Sequence, residues 1–260
     1  MPIPLSKSET RMARPPSPKA DIEKSATAQS RAALRRGRVA VRFEGPALEK
    51  GTAGDRGNGT GRRRRGDEVR ERILRAALDC YAAFGFEGTS TRAVAERANV
   101  THTLVLYHFQ SKDQLWIATV EEALKSYRES MKQTFEVAPT LSAREALSTF
   151  IERFVRMSAL HPQIHSIMTT TSNQDTPRLQ WLIDDFIRPH FTVVRELIRR
   201  GQAEGSVREG DPARLYYLII AGGGTPFTLR TEYKAMTGRD VFSETEILRN
   251  IAFLYDIVFV

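Results

Sequence analysis

Between Thr101 and Lys112 the chain collects side chains suited to binding rather than to covalent chemistry. Thr101, His102, Thr103, Tyr107, His108 and Lys112 bring hydroxyls, imidazoles, a phenol and an ammonium into one short stretch. Val105 and Phe109 stand at i,i+4, the spacing of a single helical face. At about 100° per residue, Thr103 and Tyr107 fall on the opposite side, with His102, Leu104 and Leu106 flanking them. An outward set of this kind can hydrogen-bond base edges and phosphate oxygens.

Arrangements that would make or break bonds are missing. The chain has no His-Glu-x-x-His, no Gly-x-Ser-x-Gly and no Cys-x-x-Cys. Gly54 to Gly59 has the glycine spacing of a P-loop, but Thr60-Gly61 stands where Lys-Ser/Thr belongs and no strand precedes it. His161 and His165 lie at i,i+4 without a visible third ligand, and Cys80 is the single cysteine. The expectation is a protein that is not an enzyme and carries neither cofactor nor metal.

The elements around Thr101–Lys112 give it a frame. A short helix follows Thr89-Ser90, turns Val94, Ala95 and Ala98 inward, and ends before Asn99, a residue type that tolerates positive φ. Thr101 then caps the next helix. This is helix-turn-helix spacing, in which the second helix enters the DNA major groove; a plain structural turn between two helices has the same outline. Upstream, Val69, Ile73, Ala77, Cys80, Tyr81 and Phe84 recur at helical spacing up to Gly85.

Downstream, starts repeat one grammar. Ser111 with Gln114, Ser142 with Glu145 and Ser243 with Glu246 have capping-box spacing, and Thr176-Pro177 and Asp211-Pro212 place a cap before a first-turn proline. The stripes that follow are helical: Trp116, Val120, Ala123, Leu124, Tyr127 and Met131; Leu147, Phe150, Ile151 and Phe154; Ile247, Ile251, Leu254, Tyr255 and Val258. No run alternates with period 2 between hairpin turns, so the fold class is all-α.

The motifs beneath these elements carry a family resemblance. Residues 67–115 resemble the DNA-binding domain of the TetR family of bacterial transcriptional regulators. The carriers are Ile73-Leu74-Arg75-Ala76-Ala77, then Phe84-Gly85-Phe86-Glu87-Gly88-Thr89-Ser90-Thr91-Arg92, then Val94-Ala95-Glu96-Arg97-Ala98-Asn99-Val100-Thr101. Tyr107-His108-Phe109-Gln110-Ser111-Lys112-Asp113-Gln114-Leu115 completes them. The stretch from His161-Pro162 through Asp211-Pro212 to Tyr233 is similar to a recurrent pattern of that family's regulatory domain.

The resemblance implies roles. Thr91 and Arg92 would contact phosphate, Thr101, His102, Thr103 and Leu104 would read bases, and Tyr107, His108 and Lys112 would hold phosphates. Two positions depart from the family pattern: Asn99 replaces a usual glycine, and Leu106 replaces the first of two usual aromatics, which leaves sequence preference open. The resemblance also implies a dimeric repressor released from double-stranded DNA by an unknown small-molecule effector. The competing reading is a helical ligand-binding or adaptor protein without DNA function.

Charge divides the chain. Of its 39 Lys+Arg and 31 Asp+Glu, residues 1–66 hold 16 and 6, together with one aromatic residue, Phe43. A segment so poor in apolar surface is expected to be a disordered basic tail. Residues 67–112 carry six basic and six acidic residues, a neutral balance unusual for a surface that faces phosphate. Arg62, Arg63, Arg64 and Arg65, just ahead of the first helix, are a minor-groove arm that supplies the missing charge, a solvated linker, or part of a tail from a misassigned start codon.

The resemblance further implies that residues 113–260 form a ligand-binding and dimerisation domain following the helix-turn-helix domain of 67–112. Its last helices, about 211–233 and 243–259, would pair with their copies in a four-helix bundle through Leu215, Leu218, Ile219, Ile251, Leu254, Tyr255 and Val258. Gly222-Gly223-Gly224 implies either close backbone approach across that interface or a break before Pro226. Phe154, Met157, His165, Met168, Trp181, Phe186 and Phe227 are the candidate effector lining, and ordinary core is the competing reading. No apolar stretch reaches the ~18 residues of a membrane span, and the N-terminus has no apolar signal region. A cytoplasmic protein is expected.

Overall fold

The computed structural model describes residues 60–260, with side chains from Gly66 onward. The expected tail, apart from its last residues, and the side chains of Arg62–Arg65 lie outside the described residues. Helices fill the rest. They are α1 (Thr60–Gly88), α2 (Thr91–Arg97), α3 (His102–Phe109), α4 (Lys112–Val137), α5 (Ala143–Leu160) and α6 (Pro162–Ser172). They continue as α7 (Pro177–Leu182), a π-helical turn (Ile183–Ile187), α8 (Arg188–Ala203), α9 (Pro212–Thr228), α10 (Arg230–Thr237) and α11 (Glu244–Val258). Among the described residues no strand forms; one isolated bridge, Val207 with Phe259, ties the C-terminus to the loop after α8. The fold is all-α, with a three-helix head of α1–α3 followed by a larger helical part.

The caps fix where helices begin. Ser90, Thr101, Ser111, Thr176 and Ser243 each accept a backbone N–H of the first turn, and Ser142 with Glu145 forms the full reciprocal box. Glu246 does not close its box. Its carboxylate, buried in the fold, accepts from Tyr233 Oη at 2.8 Å and pairs with Arg249, tying α10 to α11.

One apolar core runs from Ile73 in the head to Phe259 at the C-terminus, so α4, α5 and α6 join the head to the remainder without a break in packing. One stripe residue and one helix boundary depart from expectation. Phe84 is 68% exposed, because Gly85 adopts φ 67 and ψ −178 and breaks α1 there; Phe86, beyond the break, takes the packed position. The expected long helix over 211–233 ends at Thr228, and α10 starts afresh at Arg230.

The glycine triplet packs within the chain rather than marking a break, and α9 continues as one helix through it and through Pro226. A Cβ on Gly223 would lie 2.9 Å from Phe154 of α5, and one on Gly224 only 2.3 Å from the His165 ring of α6. The close approach is therefore within the chain. Likewise Ile219, Ile251, Leu254 and Val258 are buried in the chain's own core, and Tyr255 donates to Ser148 O at 2.9 Å. Leu218, one of the residues expected to pair, stays exposed, as do Tyr217 (61%) on α9 and Phe253 (60%) on α11.

Candidate nucleic-acid interface

The head presents α3 outward by a chain of local constraints. Asn99 takes φ 52, and the turn is closed by Asn99 N to Glu96 O and Val100 N to Ala95 O, both 3.0 Å. Thr101 caps α3 by accepting the Leu104 N–H at 3.3 Å. Val105 and Phe109 anchor the helix from below, both buried. The opposite face therefore stands in solvent: Thr103 and Leu106 are exposed, and Tyr107 is 78% exposed with its ring edge-on to His108 at 5.4 Å.

The candidate DNA contacts separate into free and engaged groups. Arg92, Thr103 and Tyr107 are exposed. Thr101 is exposed but spends its hydroxyl on the cap. Thr91 Oγ1 and His102 Nε2 share a hydrogen bond at 2.9 Å, which locks the start of α3 to the start of α2. Leu104 and His108 are half-buried. Lys112 is half-buried too, its Nζ 4.3 Å from the Phe86 ring centre and 3.5 Å from Glu87 O. Gln110, at φ 58, is a second left-handed turn residue, between α3 and α4, which no glycine or asparagine marks in the sequence.

Among the described residues, three of the twelve charged side chains of 67–112 sit in ion pairs: Asp79, Arg97 and Glu87. Arg97 Nη2 meets Asp79 Oδ2 at 2.7 Å, beside an open groove of about 340 Å³ lined by Arg72, Arg75, Ala76 and Ala98 as well. Burial pushes the Cys80 thiol up from its ordinary value, which keeps it protonated against the core. Glu87 finds its partner outside the head. Arg178, on α7, reaches Glu87 Oε1 at 3.3 Å and Asp113 Oδ1 at 3.0 Å, with its guanidinium carbon 3.5 Å from the Phe86 ring centre.

Six of the seven candidate effector residues belong to the apolar core or pack against it, and the seventh, His165, lies beside them. Phe154 is joined to Phe186 through the rings of Phe150, Phe135 and His190, and Phe154 and His165 flank the adjacent Gly223 and Gly224. Trp181 meets Trp116 edge-on at 5.7 Å, Phe227 lies against Phe242 at 5.8 Å, and Phe154 stacks on Phe150 at 6.0 Å. Met157 is buried, Met168 half-buried, and His165 packs on Gly224 with Nε2 3.4 Å from Thr225 Oγ1. A second open groove, about 420 Å³ and lined by residues from Arg230 to Phe242, contains none of the seven.

Phe186 lies 4.6 Å from the His190 ring, and both face Tyr127 at 5.4 Å; Phe135, 5.5 Å from His190, continues the run to Phe150 at 6.1 Å. His190 Nδ1 is 2.6 Å from Phe186 O, and a carbonyl can only accept, so Nδ1 carries the proton and Nε2 is the lone-pair nitrogen. Burial first, and the Arg128 charge with it, hold the His190 pKa below its ordinary value although the Phe186 carbonyl favours the charged form. His190 Nε2 and Arg128 Nη2 are both buried without a hydrogen-bond partner among the described residues. Sequence reasoning passed over Arg128 and His190; an arginine beside Tyr127 in an apolar stripe, and a histidine four residues after Phe186, were the available signals.

Residues 73–119 match the model of bacterial regulatory proteins of the tetR family, and residues 144–258 match a tetracyclin repressor-like C-terminal domain. The chain is 27% identical over 186 residues to the HTH-type transcriptional regulator RutR of Escherichia coli, covering 71% of this chain and 86% of that protein. It is 26% identical over 168 residues to the HTH-type transcriptional repressor NicS of Pseudomonas putida, covering 62% and 76%. Among solved structures, the ketosteroid transcriptional regulator KstR2 of Mycobacterium tuberculosis superposes with TM-score 0.61 at 18% identity, covering 74% of this chain and 95% of that one. AibR, solved in complex with isovaleryl coenzyme A and operator DNA, gives 0.59 at 17%, covering 72% and 98%. Both likenesses concern the fold.

Proposed function

The chain belongs to the tetR family of bacterial regulatory proteins, and from that premise we propose that it is a dimeric repressor released from its operator by a small-molecule effector. The observation that carries the DNA half is the outward face of α3, capped by Thr101, anchored by Val105 and Phe109, and open at Thr103 and Tyr107. Thr103 reads bases, Tyr107, Arg92 and Lys112 hold the backbone, and Thr91 and His102 set the angle of α3 through their mutual hydrogen bond. Leu106, exposed on the same helix, offers apolar contact to a thymine methyl. Arg62–Arg65, which fall in the first turns of α1 and not ahead of it, add positive charge to this interface.

A single short recognition helix reads too few base pairs for an operator, so two copies are required. Tyr217, Leu218 and Phe253, exposed on α9 and α11, are the apolar surface available for pairing. The effector lodges against the Phe186–His190 cluster. Arg128 offers a donor with positive charge and His190 Nε2 offers an acceptor, between the rings of Tyr127, Phe135 and Phe186. The complementary ligand is a small flat acid, with a carboxylate for Arg128 and an O–H or N–H for His190.

Genome-wide footprinting with the purified chain, together with sedimentation at micromolar concentration, tests the reading. The expected result is a dimer protecting roughly palindromic sites. A monomer with non-palindromic protection would remove the dimeric repressor, and absence of any protected site would favour a helical adaptor.

A further inference from the structure

The helical run from Pro177 to Ala203 is one rod: α7, the π-turn and α8 follow one another without a loop. Arg178 stands at its first turn, and Phe186 and His190 lie about 12 and 18 Å further along at 1.5 Å per residue. The π-turn over Ile183–Ile187 contains Phe186 itself and lies between Arg178 and His190, and such turns occur often at functional sites.

Arg178 is the buried member of its group, with only 15% of its side chain exposed, while Glu87 and Asp113 are open to solvent. Ion pairs of this exposure add little to stability. Their effect on a phosphate-facing surface is larger, because every uncompensated carboxylate there opposes DNA. The head is formally neutral over residues 67–112, so Arg178 supplies a cation that the head itself lacks. It does so beside Lys112, the candidate phosphate ligand: Asp113 is the next residue, and Lys112 Nζ lies 3.5 Å from Glu87 O. Arg178 and Lys112 also share the Phe86 ring, at 3.5 and 4.3 Å. Tyr81 steadies this corner by stacking on Phe86 at 6.1 Å and donating to Lys112 O at 3.3 Å.

Resting on the DNA-binding reading above, we propose that Arg178 is a positioning residue that sets DNA affinity by charge. With Arg178 seated on Phe86, Glu87 and Asp113 are neutralised and Lys112 is left for phosphate. Without Arg178, two bare carboxylates face the DNA backbone and compete for Lys112, and affinity falls.

The test uses full-length protein and a duplex enriched from a random library by the wild type. Arg178→Ala is expected to weaken binding about tenfold at about 50 mM salt and much less at about 200 mM, since the repulsion is screened. Adding Glu87→Gln and Asp113→Asn to Arg178→Ala is expected to restore affinity to within about threefold, because the amides carry no charge to neutralise. Circular dichroism confirms that the variants fold. An Arg178→Ala variant that binds like wild type overturns the proposal, and so does a loss that salt does not reduce or the amides do not rescue; those results leave the repressor reading intact. If the wild type itself enriches no duplex, the DNA-binding reading falls and this proposal falls with it.

Discussion

The side-chain amide of Asn250 donates to the carbonyl oxygen of Gly222 at 3.1 Å, and Gly222 is the residue four before Pro226. In an uninterrupted helix that carbonyl would accept the N–H of residue 226, which proline lacks. Asn250 thus closes from α11 a hydrogen bond that α9 cannot make for itself. Asn250→Ala is expected to cost about 1–3 kcal/mol, the penalty for an acceptor left unpaired. In a Pro226→Ala background the helix provides its own donor, so the same change should cost measurably less. Equal costs in urea denaturation of both backgrounds would mean that Asn250 acts by packing alone.

Gly224 is a question of sign. Alanine would gain about 1 kcal/mol in helix propensity, yet its Cβ would lie 2.3 Å from His165 Nδ1. Overlap with a half-buried ring dominates, and Gly224→Ala should destabilise by about 1–3 kcal/mol. Gly222→Ala should be close to neutral, since its neighbour at 3.0 Å is the movable end of Leu254. His165→Ala combined with Gly224→Ala should recover most of the loss. Thermal melts in which Gly222→Ala is the more harmful change would contradict this packing.

Much of this frame was legible because it is local. Caps act within three residues, so Ser90, Thr101, Ser111, Ser142, Thr176 and Ser243 declare helix starts in sequence, and Asn99 declares its turn. Partners distant in sequence were not legible. Gly224 reads as a gap for any neighbour, and only folding shows that His165 fills it. Apolar periodicity marks a face as buried without saying whether the cover is the same chain or a second copy, which is why Ile251 and Leu254 were expected at an interface and lie in the core. The contact of Arg178 with Glu87, 91 residues away, leaves no pattern in either segment.

At the DNA face, Thr103 and Tyr107 should behave differently although both are exposed. Tyr107→Ala and Lys112→Ala should weaken binding to all duplexes, with Lys112→Ala lowering the log–log salt slope by about 1. Thr103→Ala should change the preferred bases at about 1–3 kcal/mol per site position. Selection from a random library separates the two behaviours. An unchanged preferred site for Thr103→Ala would remove it from base reading.

The effector class makes a prediction of graded binding. Meta- or para-hydroxybenzoate, which offers a carboxylate, a flat ring and a hydroxyl, should bind about tenfold more tightly than benzoate or phenol, each of which lacks one group; tenfold corresponds to about 1.4 kcal/mol. Arg128→Gln should abolish the advantage over phenol, and His190→Leu the advantage over benzoate. Calorimetric titration giving equal affinities, or none for any of the compounds, would make the cluster ordinary core.

His190 and His165 also set how the protein responds to acid. Burial holds both pKa values below the ordinary 6.5, and Arg128 adds to the effect at His190. The unfolded chain therefore takes up protons at a pH where the folded chain still refuses them. Stability rises with pH wherever the unfolded state binds more protons, so it is complete above about 6.5 and declines as pH falls through the window between 6.5 and the depressed folded values. Melting temperature should accordingly fall between about pH 7 and about pH 5. A His190→Gln variant should lose part of that slope, because glutamine has no proton to gain, and adding His165→Gln should flatten it further. If the double variant kept the full slope, protonation of other groups would govern acid sensitivity and neither buried imidazole would be its source.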